Sequence, residues 1–546
     1  MSEHGNYISR ARLIQGVLAT GTLAACGGGG GGSMPSPIAT PTPLTGLCVP
    51  LPTNSFGRYG LDGVLSHPAL AHLDKQWLLD TFDVAPALEA LHRRYLSASC
   101  GQVQQGNTIL SIPSSGICIT SPGTYTLGGN LTWSPSTSAM AAITIQASNV
   151  TLDLGGYTLS AAIADKSAQI SAISVVGPVD NVTIANGTLA SFTEHGVFAS
   201  GVCGLAVSNL TVTGLCMQNL NVRELTPSGI LAMNGQDVAI ANCSVTNMNV
   251  TTDASAGFQL VSTNLSTITN CTANALTNND GGVKGFSYLG CAYVTTTGCT
   301  ALALQSFFHS NVLTSGHTTI GFLPTFCNNL AFQNCSAADI TGCCDDAHGM
   351  SFFLCWLSSV QSFSATRVLD GSNDLATHPA SGAKATGLEV YSLGGITATD
   401  CTANDIRAIN PEDLQAAGFS SWGPAIGFTN CNASNVSVQN DNHVPDMRGI
   451  GFGWAPDPRP NFKNTVASNV TYLDCNAANC DVGFDTWDHV NSTWTGTTHT
   501  NCTISYLVEP LLTVRTVSCD PCSECLTPIP NQPLYNAAAG NTYPST

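Results

Sequence analysis

Short segments of alternating hydrophobic and polar residues follow one another along most of the chain, from about residue 118 to residue 507. They are rich in Val, Ile, Thr and Phe, and turns containing Asn or Gly separate them. Alternation with a period of two predicts β-strands, because successive side chains of a strand point to opposite faces. From residue 149 onward this region keeps no sustained helical period. The pattern therefore predicts an all-β domain.

Two sequence motifs recur in phase along this region. A glycine followed by a large hydrophobic residue returns at intervals of about 28 to 38 residues, in the range of solenoid repeats. This glycine motif occurs at Gly229, Gly257, Gly285, Gly321, Gly349, Gly387, Gly418, Gly451 and Gly483. A cysteine motif follows at Cys243, Cys271, Cys299, Cys335, Cys401, Cys431, Cys475 and Cys502. Short strands at this spacing, without crossover helices, predict a parallel β-helix of about 11–13 coils, stacked about 4.8 Å apart.

The residues after each motif glycine predict which side chains face the interior. The first position after it is always large and hydrophobic, so it points inward, and the second and fourth positions point outward. The fourth position is aromatic at Phe353, Tyr391, Trp422 and Trp487. After Gly451 the fourth position is Ala455, and Trp454 lies one residue before it. We predict that these five aromatic residues bind sugar rings on a solvent-facing groove. The alternative is that a loop covers them as a second layer of core.

The cysteines and asparagines of the repeat predict packing and turns. Cysteines stacked in neighbouring coils would lie close enough to form disulfides. A column of inward-pointing cysteines more often packs as buried thiols, so we predict buried thiols with some oxidised pairs possible. A second column at Cys291, Cys327 and Cys355 has the same two interpretations. The asparagine before several of the motif cysteines fits a left-handed turn position. These asparagines are Asn242, Asn270, Asn334, Asn430 and Asn501.

The segments CITSPGTYTLGGNLTW (from Cys118) and ITIQASNVTLDLGGYTLSA (from Ile143) resemble the opening coils of right-handed parallel β-helix proteins of the pectin-lyase-like superfamily. The resemblance covers about residues 118–507 and implies that fold. The superfamily includes lyases, hydrolases, epimerases and non-enzymatic binders, so the resemblance does not fix the activity. Known polygalacturonase-like motifs are altered or missing here, and we transfer no catalytic residue from them.

The N-terminus predicts export. Arg10 and Arg12 precede a moderately hydrophobic run that ends at Leu23-Ala24-Ala25-Cys26, which resembles a bacterial lipobox and implies lipidation of Cys26. An ordinary signal peptide is the alternative. The predicted segments are a signal peptide (1–25), a Gly/Pro/Ser/Thr-rich tether (26–46), a helical N-terminal cap region (47–117), the β-helix (118–510) and a cysteine-containing tail (511–546).

Two parts of these flanks carry further predictions. Residues 68–96 predict two short helices, interrupted at Pro86, that cap the open N-terminal end of the solenoid. The tail cysteines Cys519, Cys522 and Cys525 favour disulfides over a metal site, because export places them in an oxidising compartment.

The charge balance restricts the partners. The chain has 16 Lys and Arg against 34 Asp and Glu, for a formal net charge of −18, and no basic patch. This predicts no nucleic-acid partner and disfavours polyanionic glycans. No hydrophobic stretch reaches the ~18 residues of a membrane-spanning helix, so the predicted contact with the cell envelope is the lipid anchor.

The densest group of ionisable residues lies in the predicted turn CCDDAHG, which ends at Gly349. Stacking of the coils brings the long turns to one side of the solenoid, where we select Asp345, Asp346, His348, Glu389, Lys284 and Arg448 as catalytic candidates. Paired carboxylates suit glycoside hydrolysis, and a His or Lys base suits β-elimination. Asp345 and Asp346 also suit Ca²⁺ or an ordinary Asx turn. No metal site is assigned.

These observations favour a lipid-anchored polysaccharide hydrolase in the bacterial cell envelope, preferred slightly over a lyase, that acts on a neutral or weakly charged glycan. The alternative is a non-catalytic glycan-binding or adhesin-like surface protein. A weaker third hypothesis is metal handling through His309, His317, His348 and His378.

Overall fold

The computed structural model describes residues 85–97, 100–102, 107–218, 226–307, 318–342, 346–371, 384–409, 416–439, 449–453, 467–485, 489–490, 492–502 and 504–507. In this part of the chain, one α-helix precedes a long series of β-strands. The helix, α1, spans Ala85–Leu96.

The strands are short near both ends of the series and longest where one strand runs on from one side of the solenoid to the next. The strands are β1 (Gly101–Gln102), β2 (Thr108–Ile109), β3 (Ile117–Ile119), β4 (Gly123–Leu127), β5 (Leu131–Trp133), β6 (Ala141–Ile145), β7 (Val150–Asp153), β8 (Thr158–Ala161), β9 (Ser171–Ala190), β10 (His195–Thr213), β11 (Ser228–Met233), β12 (Gln236–Ala241), β13 (Ser244–Val250), β14 (Ala254–Val261), β15 (Asn264–Thr269), β16 (Thr272–Asn278), β17 (Gly282–Leu289), β18 (Ala292–Thr297), β19 (Thr300–Ser306), β20 (Thr319–Thr325), β21 (Ala331–Gln333), β22 (Ser336–Gly342), β23 (Asp346–Gln361), β24 (Ser364–Asp370), β25 (Lys384–Thr399), β26 (Thr402–Ile409), β27 (Ala416–Trp422), β28 (Ile426–Thr429), β29 (Asn432–Gln439), β30 (Gly449–Gly453), β31 (Ala467–Ser468), β32 (Thr471–Leu473), β33 (Asn476–Ala478), β34 (Val482–Asp485), β35 (His489–Val490), β36 (Thr493–Thr495), β37 (Thr498–Thr500) and β38 (Ile504–Leu507).

The strands form three parallel sheets that wind around a common core, which confirms the parallel β-helix. In the central coils, β14, β17 and β20 pair in the first sheet, β15, β18 and β21 in the second, and β16, β19 and β22 in the third. Strands β9 and β10 each run through all three sheets. The parallel pairing already starts at β1 and β2. The solenoid therefore begins before the predicted boundary at residue 118.

The motif glycines and the residues after them build the interior of the first sheet. Phe258, Phe286 and Phe322 stack with ring centroids 4.8 and 4.7 Å apart, and all three are buried. A Cβ atom on Gly321 would lie 2.4 Å from the carbonyl oxygen of Gly349 in the next coil. Glycine recurs at this position because the backbones of neighbouring coils approach too closely for a side chain.

The turns and the cysteine columns follow the predictions. Asn242, Asn270, Asn334, Asn430 and Asn501 have φ between 52° and 53°, in the left-handed region. The cysteines of both columns are unpaired thiols, buried except for the half-buried Cys502. Away from the columns, a disulfide joins Cys100 to Cys118. The packing interpretation of the columns is therefore correct.

Helix α1 differs from the prediction in its location. Pro86 is the second residue of the helix, where its missing N–H is tolerated, so the helix begins where the sequence predicts the second helix of the pair. Leu91 and Tyr95 pack on the outer face of the first sheet, against a cluster separate from the interior core. The sheet residues of this cluster are Ala141, Val176, Phe198, Leu231, Met233, Val261 and Leu289. The helix therefore covers a sheet face, because that face is itself hydrophobic in the N-terminal coils.

A buried polar cluster fixes α1 to the solenoid. Arg94 pairs with Glu194, and Tyr95 donates a hydrogen bond to the same carboxylate at 2.6 Å. Glu194 and the adjacent His195 are fully buried. The backbone N–H of Ser228 donates to His195 Nδ1 at 3.2 Å. Burial lowers the pKa of His195 to about 4, against the opposing attraction of Glu194.

No helix within the described residues is long and hydrophobic enough to cross a membrane. The predicted signal peptide, Cys26, the tether and the tail cysteines lie outside the described residues, as do residues 68–84 of the predicted helical pair.

Candidate active site on the outer face of the first sheet

One imidazole contacts two carboxylates on the outer face of the first sheet. His348 Nε2 lies 3.6 Å from Asp346 Oδ2 and 3.7 Å from Glu389 Oε2. Asp346 and His348 are the first and third residues of β23, whereas Glu389 lies on β25 in the next coil. Period-two alternation places Asp346 and His348 on the same face, and in-register stacking brings Glu389 beside them.

Glu389 is held as an anion. Lys384 pairs with its Oε1, and Ser351 Oγ donates a hydrogen bond to its Oε2 at 2.8 Å. Burial acts to raise the pKa of Glu389, but the attraction of Lys384 and His348 outweighs burial and lowers the pKa to about 2. Glu389 is therefore ionised over the whole physiological range, a state that suits a base, a nucleophile or an electrostatic stabiliser and does not suit a proton donor.

Asp370 positions the start of the strand that carries Lys384 and Glu389. Its Oδ2 accepts a hydrogen bond from the backbone N–H of Lys384 at 2.7 Å, and its Oδ1 accepts one from Gly371 at 2.9 Å. The Asp370 side chain is fully buried at the end of β24. This buried carboxylate binds the backbone N–H groups of Gly371 and Lys384, and so fixes where β25 begins.

Lys284 is a second buried cation on this face. Lys284 pairs in register with Ile320, and Ile320 pairs with His348, so the two polar residues are two coils apart in one column, as predicted. Only 6% of Lys284 is exposed, and burial lowers the pKa of its ammonium group to about 8. A neutral amine is thus accessible slightly above neutral pH, which is the requirement for a lysine base.

The predicted aromatic column forms a continuous ladder beside this polar group. Phe353 stacks on Tyr391 with centroids 5.6 Å apart, and Tyr391 lies 5.7 Å from Trp422. Tyr391 and Trp422 are 5% and 1% exposed, whereas Phe353 is half-buried. Burial favours the covered second layer for Tyr391 and Trp422, and leaves Phe353 as the member accessible to a ligand.

Several candidates fall outside the described residues. These are Asp345, Arg448, Trp454 and Trp487, together with His309, His317 and His378 of the metal hypothesis. Asp346, the second aspartate of the predicted pair, lies within the described residues and contacts His348. Across the described residues, no group of three or more His, Cys, Asp and Glu side chains is arranged to hold a metal ion.

Lys384, Ser351 and Asp370 belong to the site but are not among the residues predicted for it from the sequence. Ser351 had a usable signal, because it occupies the outward second position after Gly349, one coil from Glu389 at the equivalent position. Asp370 ends β24 and Lys384 begins β25, on either side of the segment 371–383. The repeat does not extend through this segment, so it predicts no contact partner for either residue.

The chain is a parallel β-helix protein by its strand topology. No protein-family model matches it, and no curated protein is similar to it at the sequence level. Solved structures are similar to it only remotely.

Three of these structures illustrate the level of similarity. The A-module of a mannuronan C-5 epimerase from Azotobacter vinelandii has a TM-score of 0.39 and 10% identity, covering 71% of this chain and 89% of that one. A tailspike protein mutant of E. coli bacteriophage HK620, in complex with a pentasaccharide, has a TM-score of 0.40 and 12% identity, covering 78% and 71%. The catalytic domain of a GH87 alpha-1,3-glucanase, in complex with nigerose, has a TM-score of 0.33 and 12% identity, covering 75% and 68%. We base no functional argument on similarities at this level.

Proposed function

We propose that this chain is a carbohydrate-active enzyme that cleaves a neutral or weakly charged polysaccharide at the His348 site. The observation that carries the proposal is the placement of one imidazole between two carboxylates from adjacent coils. The aromatic ladder includes Phe353 on the same strand, and the accessible part of this half-buried ring offers a surface for sugar rings. A polar group beside a partly exposed aromatic is the usual composition of a small-molecule or glycan site.

The two carboxylates differ in a way that suits hydrolysis. Glu389, with its pKa lowered to about 2, is an anion that stabilises positive charge at the anomeric carbon or activates the attacking group. Asp346 has a side chain that is 30% exposed and contacts His348, so a substrate can reach it. We assign Asp346 as the acid that protonates the leaving glycosidic oxygen and Glu389 as the base that takes a proton from the attacking water. His348 contacts both carboxylates and passes that proton from Glu389 back to Asp346 after each turnover.

A lyase is the second candidate, and Lys284 is the observation that favours it. Its lowered pKa, about 8, makes it a base able to remove a proton next to a sugar carboxylate. β-Elimination requires a uronic-acid substrate, and the net charge of −18 opposes the approach of a polyanion. We therefore keep hydrolysis as the preferred reaction.

The test is a polysaccharide digestion panel read in two ways. New reducing ends without ultraviolet absorbance of unsaturated products indicate a hydrolase, and both signals together indicate a lyase. Asp346→Asn and Glu389→Gln should each abolish turnover with an unchanged circular dichroism spectrum. Asp237→Asn, an equally conservative change at an exposed position of β12 distant from the site in sequence, is the matched control. Full activity in Asp346→Asn and Glu389→Gln would refute the site, and binding without cleavage by the wild type would favour the non-catalytic surface protein.

We also propose that the chain is exported and anchored through a lipid on Cys26 in the cell envelope. The support is the Leu23-Ala24-Ala25-Cys26 segment, followed by a glycine-rich tether. The expected result is a lipid-modified N-terminal peptide in the mass spectrum of the protein purified from a bacterial membrane fraction. The Cys26→Ser variant should lack the lipid and leave the membrane fraction, and an unmodified Cys26 in the wild type would refute the anchor.

A further inference from the structure

We propose that Tyr293 and Leu357 form a glycan-binding ridge at the corner between the first and second sheets. This inference rests on the proposed function and names two further residues that contact the polysaccharide. Neither residue belongs to the aromatic ladder or to the polar site.

The corner has one left-handed residue in each coil from Asp237 to Asn469, and half of these residues are Asp, Asn or Gly, which tolerate such a backbone. Ala292, Asn328, Trp356 and Gly394 pair in register from coil to coil, and the left-handed residue directly follows each of them. The members of this column are Asp237, Leu265, Tyr293, Asn329, Leu357, Gly395, Ala425 and Asn469. Tyr293 has φ 55° and Leu357 has φ 49°. A left-handed backbone is unfavourable for a residue with a large side chain and no local hydrogen bond of its own.

Among the described residues, Tyr293 and Leu357 are the most exposed of the large hydrophobic residues with this backbone. Phe326 and Leu354 are also left-handed, with φ 52°, and they are 1% and 0% exposed. Leu265, also with φ 52°, is half-buried. Burial offsets the strain at these three positions. Tyr293 and Leu357 are 40% and 49% exposed, so packing against the protein offsets far less. Asn would satisfy the same backbone, as Asn329 does between them, at a smaller loss of packing than at a buried site.

The two residues share coils with the candidate active site. Tyr293 follows Lys284 in one coil, and Leu357 follows His348 two coils further on. Leu357 is four residues after Phe353 on the same strand, β23, so the ridge continues the line from the polar group through the half-buried aromatic ring to the corner. This continuity selects the polysaccharide of the proposed function as the occupant.

The chemistry of the ridge fits a neutral sugar chain. A pyranose ring presents C–H groups that pack on the face of Tyr293, and Leu357 adds uncharged contact area on the same side. Exposed hydrophobic residues clustered beside a polar site are typical of ligand contact. An aromatic residue that contacts a ligand is also the kind of residue whose removal weakens binding most.

The experiment separates binding from stability, because relief of strain and loss of contact have opposite signs. Tyr293→Asn and Leu357→Asn should raise the melting temperature or leave it unchanged, since Asn tolerates the left-handed backbone. Each should weaken retention about tenfold in affinity gels that contain laminarin, xyloglucan, hydroxyethyl cellulose or soluble starch, whichever retains the wild type. The matched control is Ala303→Asn, at an exposed left-handed position (φ 52°) in the third sheet. It should show the same thermal behaviour and unchanged retention.

Each outcome decides one of the two proposals. Weaker retention of both ridge variants, with intact stability and an unaffected Ala303→Asn, supports the ridge. Unchanged retention of both, in a wild type that binds and cleaves a polysaccharide, overturns the ridge and leaves the proposed function standing. A wild type that no polysaccharide retains and that cleaves none overturns the proposed function, and the ridge with it.

Discussion

The phenol of Tyr95 donates a hydrogen bond to the carboxylate of Glu194 at 2.6 Å, and neither side chain is exposed to solvent. Tyr95 lies on the helix that precedes the solenoid, and Glu194 lies just before β10. This contact, with the Arg94–Glu194 ion pair, attaches the helix to the outer face of the first sheet. The helix is therefore an integral part of the folded domain.

Removal of the Arg94 cation should strongly destabilise the domain. Arg94→Met leaves Glu194 buried without its ion-pair partner, which typically costs about 3 kcal/mol or more. Arg93→Met is the matched control, because Arg93 and its partner Glu89 are largely exposed and such pairs contribute little. Urea unfolding followed by circular dichroism measures both. Equal effects of the two substitutions would contradict the anchoring role of Arg94.

The stability of the domain should fall as the pH falls from 6.5 towards 4. The pKa of His195 in the folded state is about 4, below the ordinary histidine value of about 6.5, and burial is the main cause. The unfolded state therefore takes up a proton first, so acid favours unfolding across this window, by about 3 kcal/mol for the complete shift.

Two variants separate the contributions to this pH dependence. His195→Gln should remove most of the slope between pH 6.5 and 4.5 in a series of urea titrations, with a smaller part remaining from His92, whose pKa is also lowered by burial. The lowered pKa of Glu389, about 2, should remove further stability only below pH 4.5, and Glu389→Gln should abolish that part. A pH-independent unfolding free energy in the wild type between pH 6.5 and 4 would show that His195 is not buried as a neutral group.

A methyl group at the motif glycine should disrupt coil stacking. In Gly349→Ala, the new Cβ would lie 2.5 Å from the carbonyl oxygen of Gly387 and 2.7 Å from Ala365 Cβ. Overpacking of this kind costs about 1–3 kcal/mol. Gly129→Ala is the control, since a Cβ there would have no neighbour within 4 Å. Thermal unfolding should show a clear loss for the first variant and almost none for the second.

The stacked thiols should be inert in the folded protein. Cys271, Cys299 and Cys335 are at most 2% exposed and carry free thiols. Maleimide labelling followed by peptide mass spectrometry should leave all three unmodified under native conditions and modify them after unfolding in urea. Burial away from reagent and water keeps such thiols unreactive. Rapid labelling of the native protein, or recovery of disulfide-linked peptides, would be inconsistent with packed thiols.

The fold follows from the sequence because the repeat reports directly on side-chain faces. Glycine and the hydrophobic residue after it, as at Gly285 and Phe286, mark the interior of each coil, and the left-handed asparagines mark the turns. The location of α1 does not follow in the same way. Periodicity identifies the hydrophobic face of a segment, but it does not say which of two exposed surfaces, the solenoid end or a sheet face, that segment will cover.

The candidate site is predictable only where it lies on the repeat. His348, Glu389 and Lys284 occupy fixed positions relative to motif glycines, and stacking brings the first two together. Lys384 pairs with Glu389, but it follows an excursion of irregular length, so its approach depends on the Asp370 contact. The burial of Trp422 also depends on tertiary packing, since alternation alone assigns that side chain to an outer face.

The even spacing of Gly229, Gly257 and Gly285 has an evolutionary consequence. Residues 28 apart in these coils occupy equivalent places, and each coil touches only its two neighbours. A gene segment of that length could be duplicated or lost by recombination and the remaining rungs would still close on one another. The length of the solenoid can therefore change in whole units of one coil while the residues of any one rung are preserved.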